Sequence, residues 1–378
     1  MIDTPASPDA DQSPRVVVTG VGAVSAWGWT AEALRRGLAT GDAAIGRPTH
    51  FATAEHRTHL AAEVPEPPGE LADSVTTWSR LSVADRFAVV AADEAIAAAG
   101  VDPERFDAGE RAGCGVFFGG STAAMAEGEG FYHRLHGPGH AHARVLASHP
   151  LNGPGDAVAR HIGAAGPVST LSSACASGAL AIGAALDALR DGEVDLAVAG
   201  GSDSLCHLTF GGFNALRIVD PEHCSPFRAR RQGLNLGEGA GVLVLETAEH
   251  ARARGARVLA EVIGHGASCD AHHMTAPHPE GAGAAAALNA ALDDAVLGAD
   301  AVDWINAHGT GTPHNDAAEW RALATVFGDR ASDLPVTSTK GAVGHLLGSS
   351  GAIEAVATVQ CLDARSIHVT ANAEAGAP

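Results

Sequence analysis

Aromatic residues and positive charges are scarce in this sequence. Aromatic residues make up 4% of the 378 residues, with a single tyrosine, and 24 Lys and Arg stand against 44 Asp and Glu. The formal net charge is therefore −20. A field of this sign disfavours nucleic acid and anionic membranes as partners, unless a local basic patch overrides it.

Long apolar runs and paired cysteines are also missing. No stretch offers the roughly 20 unbroken apolar residues that a membrane span needs, and the first 15 residues contain no apolar signal core. The six cysteines are widely spread and include no CxxC pair. We therefore predict reduced thiols in a cytoplasmic protein without a membrane span.

What is present indicates a layered α/β fold. The chain is 46% hydrophobic with 46 glycines, and predicted strands alternate with helices from residue 15 onward. The pattern starts again near residue 254, which suggests an internal duplication. We predict a flexible N-terminus at 1–14 and two halves at 15–253 and 254–378. We predict loops with short strands for residues 40–79 and a polar loop for residues 121–150.

The most informative stretch surrounds Cys175. A β-branched run at 168–171 ends in small residues, and an apolar helical pattern follows until Gly192. Cys175 is thus expected at a strand-to-helix turn, where unpaired N–H groups and the helix dipole would make a thiol ionise more easily than a free one. A buried, unreactive cysteine in an Ala-rich helix is the alternative.

Two histidines of the second half have a distinctive setting. His308 and His345 each follow a predicted strand and are flanked by glycines, where α/β sheets present site residues. Together with Cys175 they suggest thiolate chemistry on a carbonyl, with imidazole donors. Four further histidines, His133, His136, His140 and His142, could bind a metal, but the Gly-Pro-Gly break between them favours a polar loop.

Five motifs together resemble the elongating β-ketoacyl-acyl carrier protein synthases, which have a thiolase-like fold. They are SSACASGALAIG, SPFRARRQGLNLGEGAGVLVLE, DAHHMTAPHPEG, AHGTGTPHNDAAE and STKGAVGHLLGSSGAIEA. The resemblance implies five layers, αβαβα, built from two duplicated βαβαβ-type halves. It also implies a homodimer or a ketosynthase heterodimer, with acyl carrier protein as partner. No cofactor or metal is implied beyond the phosphopantetheine of the carrier protein.

The resemblance also assigns roles to residues. Cys175 would hold the acyl group as a thioester, while His308 and His345 would stabilise the enolate that forms as malonyl thioester loses CO₂. Lys340 and Glu354 match the supporting pair of the family, and a plain structural ion pair is the alternative. Thr310 and Thr312 match the hydroxyls that hold the pantetheine arm, although both could simply be helix-cap residues. Cys361 lies in a predicted helix, unlike the second cysteine of thiolases.

Two departures from the family pattern stand out. The family continues with a strand and a glycine-rich turn of the type NSFGFGG, whereas this sequence reads AEAGAP at 373–378, so we expect weak activity and possible insolubility from the 378 residues. Ser225, Arg228 and Gln232 replace the usual residues of their motif and leave a basic cluster, Arg228, Arg230 and Arg231. This cluster would help to dock an acidic carrier protein, or it is a solvated turn.

Two other functions remain open at this point. A non-catalytic subunit resembling chain-length factors would usually lack the cysteine. A thioester-cleaving enzyme would need a base that activates water beside Cys175. The sequence leaves open the length and saturation of the acyl chain, and whether the pathway makes fatty acids or specialised polyketides or polyenes.

Overall fold

The computed structural model describes residues 13–74 and 78–372. The strands in these ranges are β1 Val16–Val24, β2 Ala61–Ala62, β3 Cys114–Gly119, β4 Val168–Leu171, β5 Leu196–Asp203, β6 Leu236–Gly237, β7 Gly239–Thr247, β8 Ala260–Val262, β9 Ile305–Asn306 and β10 Val336–Thr337. The α-helices are α1 Ala31–Thr40, α2 Gly69–Ser74, α3 Val83–Ala99, α4 Ala108–Ala112, α5 Met125–His136, α6 Gly153–Ile162, α7 Ser177–Arg190, α8 His207–Ala215, α9 Ala248–Ala253, α10 Ala282–Asp294, α11 Pro313–Phe327, α12 Lys340–Val343 and α13 Ser350–Ala364.

A six-stranded mixed sheet forms the centre of the molecule, in the order β4-β3-β5-β7-β1-β8. The strands β4, β3 and β5 run parallel, and β7 is antiparallel to both β5 and β1. The short strand β8 also joins this sheet, antiparallel to β1. The parallel strands present their C-terminal ends at one edge of the sheet, and the turn that carries Cys175 begins at the end of β4.

The layers follow from which faces are apolar. One face of the central sheet packs against α3 and α6 through residues such as Phe87 and Val158. The other face packs against α7 and α13 through Leu186 and Ile353. On the far side of α13, Asn306 of β9 donates to the Glu354 carbonyl and to the Thr358 hydroxyl, each at 3.2 Å.

A smaller parallel sheet, β9 with β10, makes the fourth layer. The helices α10 and α11 cover it, and their apolar residues meet its strands in a separate core that includes Leu288, Ile305 and Leu323. The order helices, sheet, helices, sheet, helices is the five-layered αβαβα arrangement that the family resemblance implies.

Local signals in the sequence placed several helix ends correctly. Ser82 and Asp85 form a reciprocal capping box at the start of α3, and Gly100 ends that helix in the left-handed conformation. The Thr312 hydroxyl accepts the Asn315 N–H at the start of α11, and Gly328 follows the helix. Residues 1–12 and 373–378, which include most of the predicted flexible N-terminus and the AEAGAP end, lie outside the described residues.

The prediction of a polar loop at 121–150 is wrong in part, because α5 occupies Met125–His136. Tertiary contacts explain the helix. Its Glu127 accepts the Val83 N–H at 2.7 Å, at the start of α3, and its Glu129 accepts two N–H groups at the start of α8. These carboxylates bind the ends of helices that are distant in sequence, so the local pattern gave no sign of them.

Two further sequence-based predictions concern membranes and thiols. Each helix within residues 13–74 and 78–372 is too short or too polar to cross a bilayer. All six cysteines are free thiols.

Candidate active site

Cys175 lies in the turn between β4 and α7, as the sequence predicts. Ala174, just before it, adopts a left-handed backbone with φ of 46°, an uncommon conformation for a residue with a side chain. The Ser177 hydroxyl holds this turn, since it donates to the Ala174 carbonyl at 2.6 Å and accepts the Ser173 N–H at 2.9 Å. Gly119 of β3 packs closely against the start of α7 and so supports this turn. A Cβ placed on Gly119 would lie 2.3 Å from the Gly178 nitrogen.

The predicted acidity of Cys175 is wrong in direction. Burial raises the pKa of the Cys175 thiol, and the nearby ammonium of Lys340 opposes that rise without cancelling it. The start of α7 offers partial positive charges that favour a thiolate. Burial of the sulfur has the opposite effect, because it removes water that would solvate a thiolate. Cys175 is therefore mainly a thiol before substrate binds.

His345 is fixed in a single protonation state. It is 1% exposed, and its Nδ1 accepts the backbone N–H of Leu347 at 2.9 Å. A neutral imidazole whose Nδ1 accepts must carry its proton on Nε2. Burial, together with the Lys340 ammonium, lowers the pKa of His345 to about 3. The ring is thus a neutral donor through Nε2 at any physiological pH.

His308 follows β9 and is held through its backbone. Its own N–H donates to Glu319 Oε1 at 2.7 Å, and the N–H of Gly309 donates to Glu319 Oε2 at 2.8 Å. Burial lowers the pKa of His308 well below its usual value, and the charge on Lys340 adds to this effect. His308 is therefore neutral as well.

The three residues meet in space although they are far apart in sequence. The Cys175 sulfur and one ring nitrogen from each histidine all lie within 4.8 Å of one another. The imidazole rings are 5.4 Å apart between centroids and nearly perpendicular, at 86°. A thiol and two imidazoles are also a zinc-like donor set, but the Leu347 N–H leaves the His345 proton on Nε2, which makes that nitrogen a donor and not a ligand.

His133, His136, His140 and His142 make no comparable group. All four are exposed, and two of them lie on α5. In the described part of the chain, no group of three potential metal ligands includes any of them.

Lys340 supplies the one buried ammonium of the site and is the only lysine in the sequence. It is 1% exposed and forms an ion pair with Glu354 of α13. Burial raises the pKa of Glu354, and Lys340 opposes this rise. The charge of Lys340 also lowers the pKa of both histidines and of Cys175, so it acts on all three groups.

Thr310 and Thr312 lie in the loop that links His308 to α11. Their hydroxyl oxygens are 2.9 Å apart, and Thr312 also caps the helix. Both residues therefore have a structural role in this loop. Their predicted contact with a pantetheine arm stays a prediction.

Four residues that sequence reasoning missed hold these loops in place. Glu319 binds the His308 loop, and the Ser338 hydroxyl donates to the Gly309 carbonyl at 2.8 Å. Asp316 accepts from the N–H groups of Gly311 and Phe227. Asp203 accepts from the loop after β3 and from Gly348. The sequence offered a signal for two of these four residues. Asp316 and Glu319 lie in the first two turns of a helix that follows a glycine-rich loop.

Two family models together match most of the chain. The model "Beta-ketoacyl synthase, N-terminal domain" matches residues 13–251, and "Beta-ketoacyl synthase, C-terminal domain" matches residues 259–374. The chain belongs to the β-ketoacyl synthase family. Among its relatives in sequence is a 3-oxoacyl-[acyl-carrier-protein] synthase 2 of Synechocystis sp., 36% identical over 96% of this chain and 89% of that protein.

Two solved structures are similar to this member of the family. The ishigamide ketosynthase/chain length factor superposes with a TM-score of 0.86 at 34% identity, over 93% of this chain and 87% of that one. A type II polyketide ketosynthase bound to its acyl-carrier protein and the hexaketide, AntDE:AntF, superposes with a TM-score of 0.83 at 30% identity, over 94% and 88%. The thiolase-like fold and the β-ketoacyl synthase family are both confirmed.

Proposed function

We propose that this chain condenses an acyl group, held as a thioester on Cys175, with malonyl-acyl carrier protein, and releases CO₂. The observation that carries the proposal is the meeting of the Cys175 sulfur with two neutral imidazoles within 4.8 Å. A nucleophile and two uncharged donors suit a reaction in which negative charge develops on a thioester oxygen.

In the first step, the acyl group moves from one sulfur to another. The Cys175 sulfur attacks the thioester carbonyl of the acyl carrier protein, the bond from that carbonyl to the pantetheine sulfur breaks, and pantetheine leaves as a thiol. One thiol replaces another, so no net proton is consumed. This balance is compatible with the raised pKa of Cys175, because the proton of Cys175 can depart with the leaving thiol.

In the second step, the carboxylate–carbon bond of malonyl thioester breaks. CO₂ departs, and the electron pair forms an enolate whose oxygen accepts hydrogen bonds from His345 Nε2 and from the His308 ring. One such donor typically contributes about 3–4 kcal/mol to the transition state. The enolate carbon then attacks the acyl carbonyl, and the carbonyl–sulfur bond to Cys175 breaks. The sulfur leaves as a thiolate and takes up one proton from water, which restores the Cys175 thiol for another cycle.

Lys340 and Glu354 support the histidines in this proposal. The ammonium lies close enough to lower the pKa of both rings, which keeps them neutral donors and prevents their protonation. Glu354 in turn keeps Lys340 in place from α13. A buried charge without a partner would be strongly unfavourable, so the two residues act as a pair.

Thr310 and Thr312 would contact the pantetheine arm at the mouth of the site, and the basic cluster lies beside them. Arg231 donates to the Pro313 carbonyl at 3.5 Å and lies 3.8 Å from Asp316. Phe227 of the same segment would lie 2.9 Å from a Cβ placed on Gly309. A carrier protein is acidic, so this position favours the docking role of Arg228, Arg230 and Arg231. No cofactor beyond the carrier-bound pantetheine belongs to this proposal.

A dimer, with a second copy or with a related subunit, completes the proposal. The strand β4 lies at the edge of the central sheet, and Val168 on it is 42% exposed. An open edge strand with exposed apolar side chains is a surface that proteins usually cover. The segment that carries Cys175 continues directly from this edge, so a partner there would lie close to the site.

Intact-mass analysis tests the proposal. The purified chain is incubated with acyl-loaded carrier protein, and the Cys175→Ala variant serves as control. We expect a mass increase of one acyl group in the parent and none in the variant, followed by CO₂ release and a lengthened chain when malonyl-carrier protein is added. A folded chain without an adduct would overturn the proposal in favour of a non-catalytic subunit. An adduct that is lost to water without CO₂ release would indicate a thioesterase.

A further inference from the structure

Asp203 ends β5 without any exposure to solvent, and its carboxylate accepts an unusual number of hydrogen bonds. The backbone N–H groups of Ser121, Thr122 and Ala123 donate to it at 2.7–3.0 Å. The N–H of Gly348 donates to Oδ2 at 2.6 Å. One buried side chain thus joins β5, the loop after β3 and the segment that follows His345.

Each of these connections leads to a reactive group. The Ser121 hydroxyl donates to the Ala174 carbonyl at 2.9 Å, next to Cys175. Gly348 lies three residues after His345 and directly after Leu347, whose N–H fixes the tautomer of His345. The Gly348 backbone packs closely against Asp203 and Ser121. A Cβ placed on Gly348 would lie 2.8 Å from Asp203 Oδ2 and 2.7 Å from the Ser121 hydroxyl.

Each of the joined loop segments also contains a strained residue. Ala123, Ala174 and Leu347 all have positive φ, at 43°, 46° and 53°, although none of them is a glycine. Such conformations persist only where the surroundings enforce them. Asp203 binds the N–H of Ala123 itself and the N–H that follows Leu347, while Ala174 is reached through Ser121.

We propose that Asp203 is a positioning residue of the condensation, which holds the Cys175 turn and the His345 segment in their reactive arrangement. This inference rests on the proposed function, since the arrangement has a purpose only if both groups act on one substrate. Asp203 does not reach the substrate itself, because it is fully buried behind the loop after β3. Its loss should therefore lower kcat and leave KM for malonyl-carrier protein unchanged.

Asp203→Asn tests the proposal, with Glu94→Gln as a matched control. Glu94 is also a carboxylate that binds two backbone segments, through the N–H groups of Ala23 and Ala31 at 2.8–2.9 Å, but neither segment carries a site residue. An amide offers one acceptor oxygen in place of two, so each variant weakens a carboxylate link between two backbone segments, although Asp203 accepts four N–H groups and Glu94 two. We expect kcat to fall about tenfold or more in Asp203→Asn, in line with a small misplacement of reacting groups, and to stay within twofold in Glu94→Gln.

Alkylation of Cys175 by iodoacetamide provides a readout that needs no condensation. Peptide mapping follows Cys175 across pH, with the exposed Cys269 as reference in the same sample. The charged groups that act on Cys175 are Lys340, Glu354 and Asp203, and the negative charge of Asp203 raises the pKa of the thiol. Asp203→Asn should therefore move the midpoint of alkylation to lower pH while condensation slows. A variant that is merely less stable would not show this combination.

The outcomes separate the two proposals. If the parent chain does not condense, the proposed function fails, and the alkylation midpoint still supports or contradicts the role of Asp203. Equal kcat losses in Asp203→Asn and Glu94→Gln, or an unshifted midpoint, would overturn the positioning role.

If Asp203→Asn does not fold, Ser121→Ala removes only the link to Ala174. It should slow acyl transfer to Cys175 severalfold and leave CO₂ release unchanged, and an unchanged rate of acyl transfer would overturn the proposal.

Discussion

Cys175 and the two histidines share one pocket, yet the protein holds them in different ways. Cys175 is half-buried, in a turn at the edge of the large sheet, beside the edge strand β4. His345 is fully buried, and the backbone of His308 is bound by a carboxylate from α11. Cys175 and His308 are thus both partly exposed, whereas His345 is enclosed. What distinguishes the two donors from the nucleophile is that hydrogen bonds to Glu319 and from Leu347 hold them.

The difference matches the two tasks. An acyl group must arrive on Cys175, so its sulfur needs access and room for the thioester. The donors have to be in place before charge develops, because donors that are already oriented need no rearrangement in the transition state. Their surroundings have a second effect, since desolvation lowers the pKa of both imidazoles and keeps them from becoming charged. The following predictions test this division, from the largest expected effect to the smallest.

Lys340→Met should have the largest effect, because it leaves Glu354 buried without its partner. Removal of one member of a buried pair typically costs about 3–5 kcal/mol in the free energy of unfolding, to be measured by urea denaturation. The double variant Lys340→Met/Glu354→Gln should recover much of that loss while condensation stays impaired. Equal stability of the single variant and the parent would show that the ion pair is not a buried unit.

Glu319→Gln should weaken the histidine side alone. An amide has one acceptor oxygen, so either the His308 N–H or the Gly309 N–H loses its partner. An unsatisfied buried donor costs about 1–3 kcal/mol, and we expect the rate of CO₂ release to fall about tenfold. Acyl transfer to Cys175 should stay near the parent rate. The exposed carboxylate of Glu32, changed to Gln, serves as control, and an equal loss of both half-reactions would contradict the division.

Acid should destabilise the protein through the histidine side. The unfolded chain protonates His345 near its usual pKa of 6.5, whereas the folded chain resists protonation down to about 3. The unfolded state therefore binds more protons between these values, and the free energy of unfolding falls as the pH drops through that range. His345→Gln should make thermal melts less dependent on pH from 6.5 downward. If the thermal melts of His345→Gln depended on pH as strongly as those of the parent, groups other than His345 would be the source of the acid sensitivity.

Thr312→Ala should have the smallest effect. It removes the side-chain cap of α11, which costs about 1 kcal/mol for a typical helix start, to be measured by urea denaturation. A rise in KM for malonyl-carrier protein beyond this would support the additional contact with the pantetheine arm. Thr40→Ala, near the end of α1 and far from the site, is the control. A variant with unchanged stability and KM would contradict both roles of Thr312.

The fold and the reactive residues were largely predictable because their signals are local. The caps at Ser82 and Thr312 mark helix starts, and the small or glycine residues around Cys175 and His308 locate both at strand ends. The expectation that His345 directly follows a strand is wrong, because the short helix α12 lies between β10 and this residue. Two kinds of feature were not predictable. The helix α5 depends on carboxylates that bind distant helix ends, and the pKa of Cys175 depends on burial and on the charges of Lys340 and Glu354, which are far away in sequence. Asp203 was missed for the same reason, since all its donors come from other segments.

The most direct test of the division is a single turnover of His345→Ala. The variant is first loaded with an acyl group from carrier protein, then mixed with malonyl-carrier protein, and both the adduct on Cys175 and the released CO₂ are followed. The account predicts an adduct at close to the parent rate and a decrease in CO₂ release on the order of 10²–10³, as expected for loss of one donor. Loss of the adduct together with CO₂ release, or undiminished CO₂ release, would contradict it.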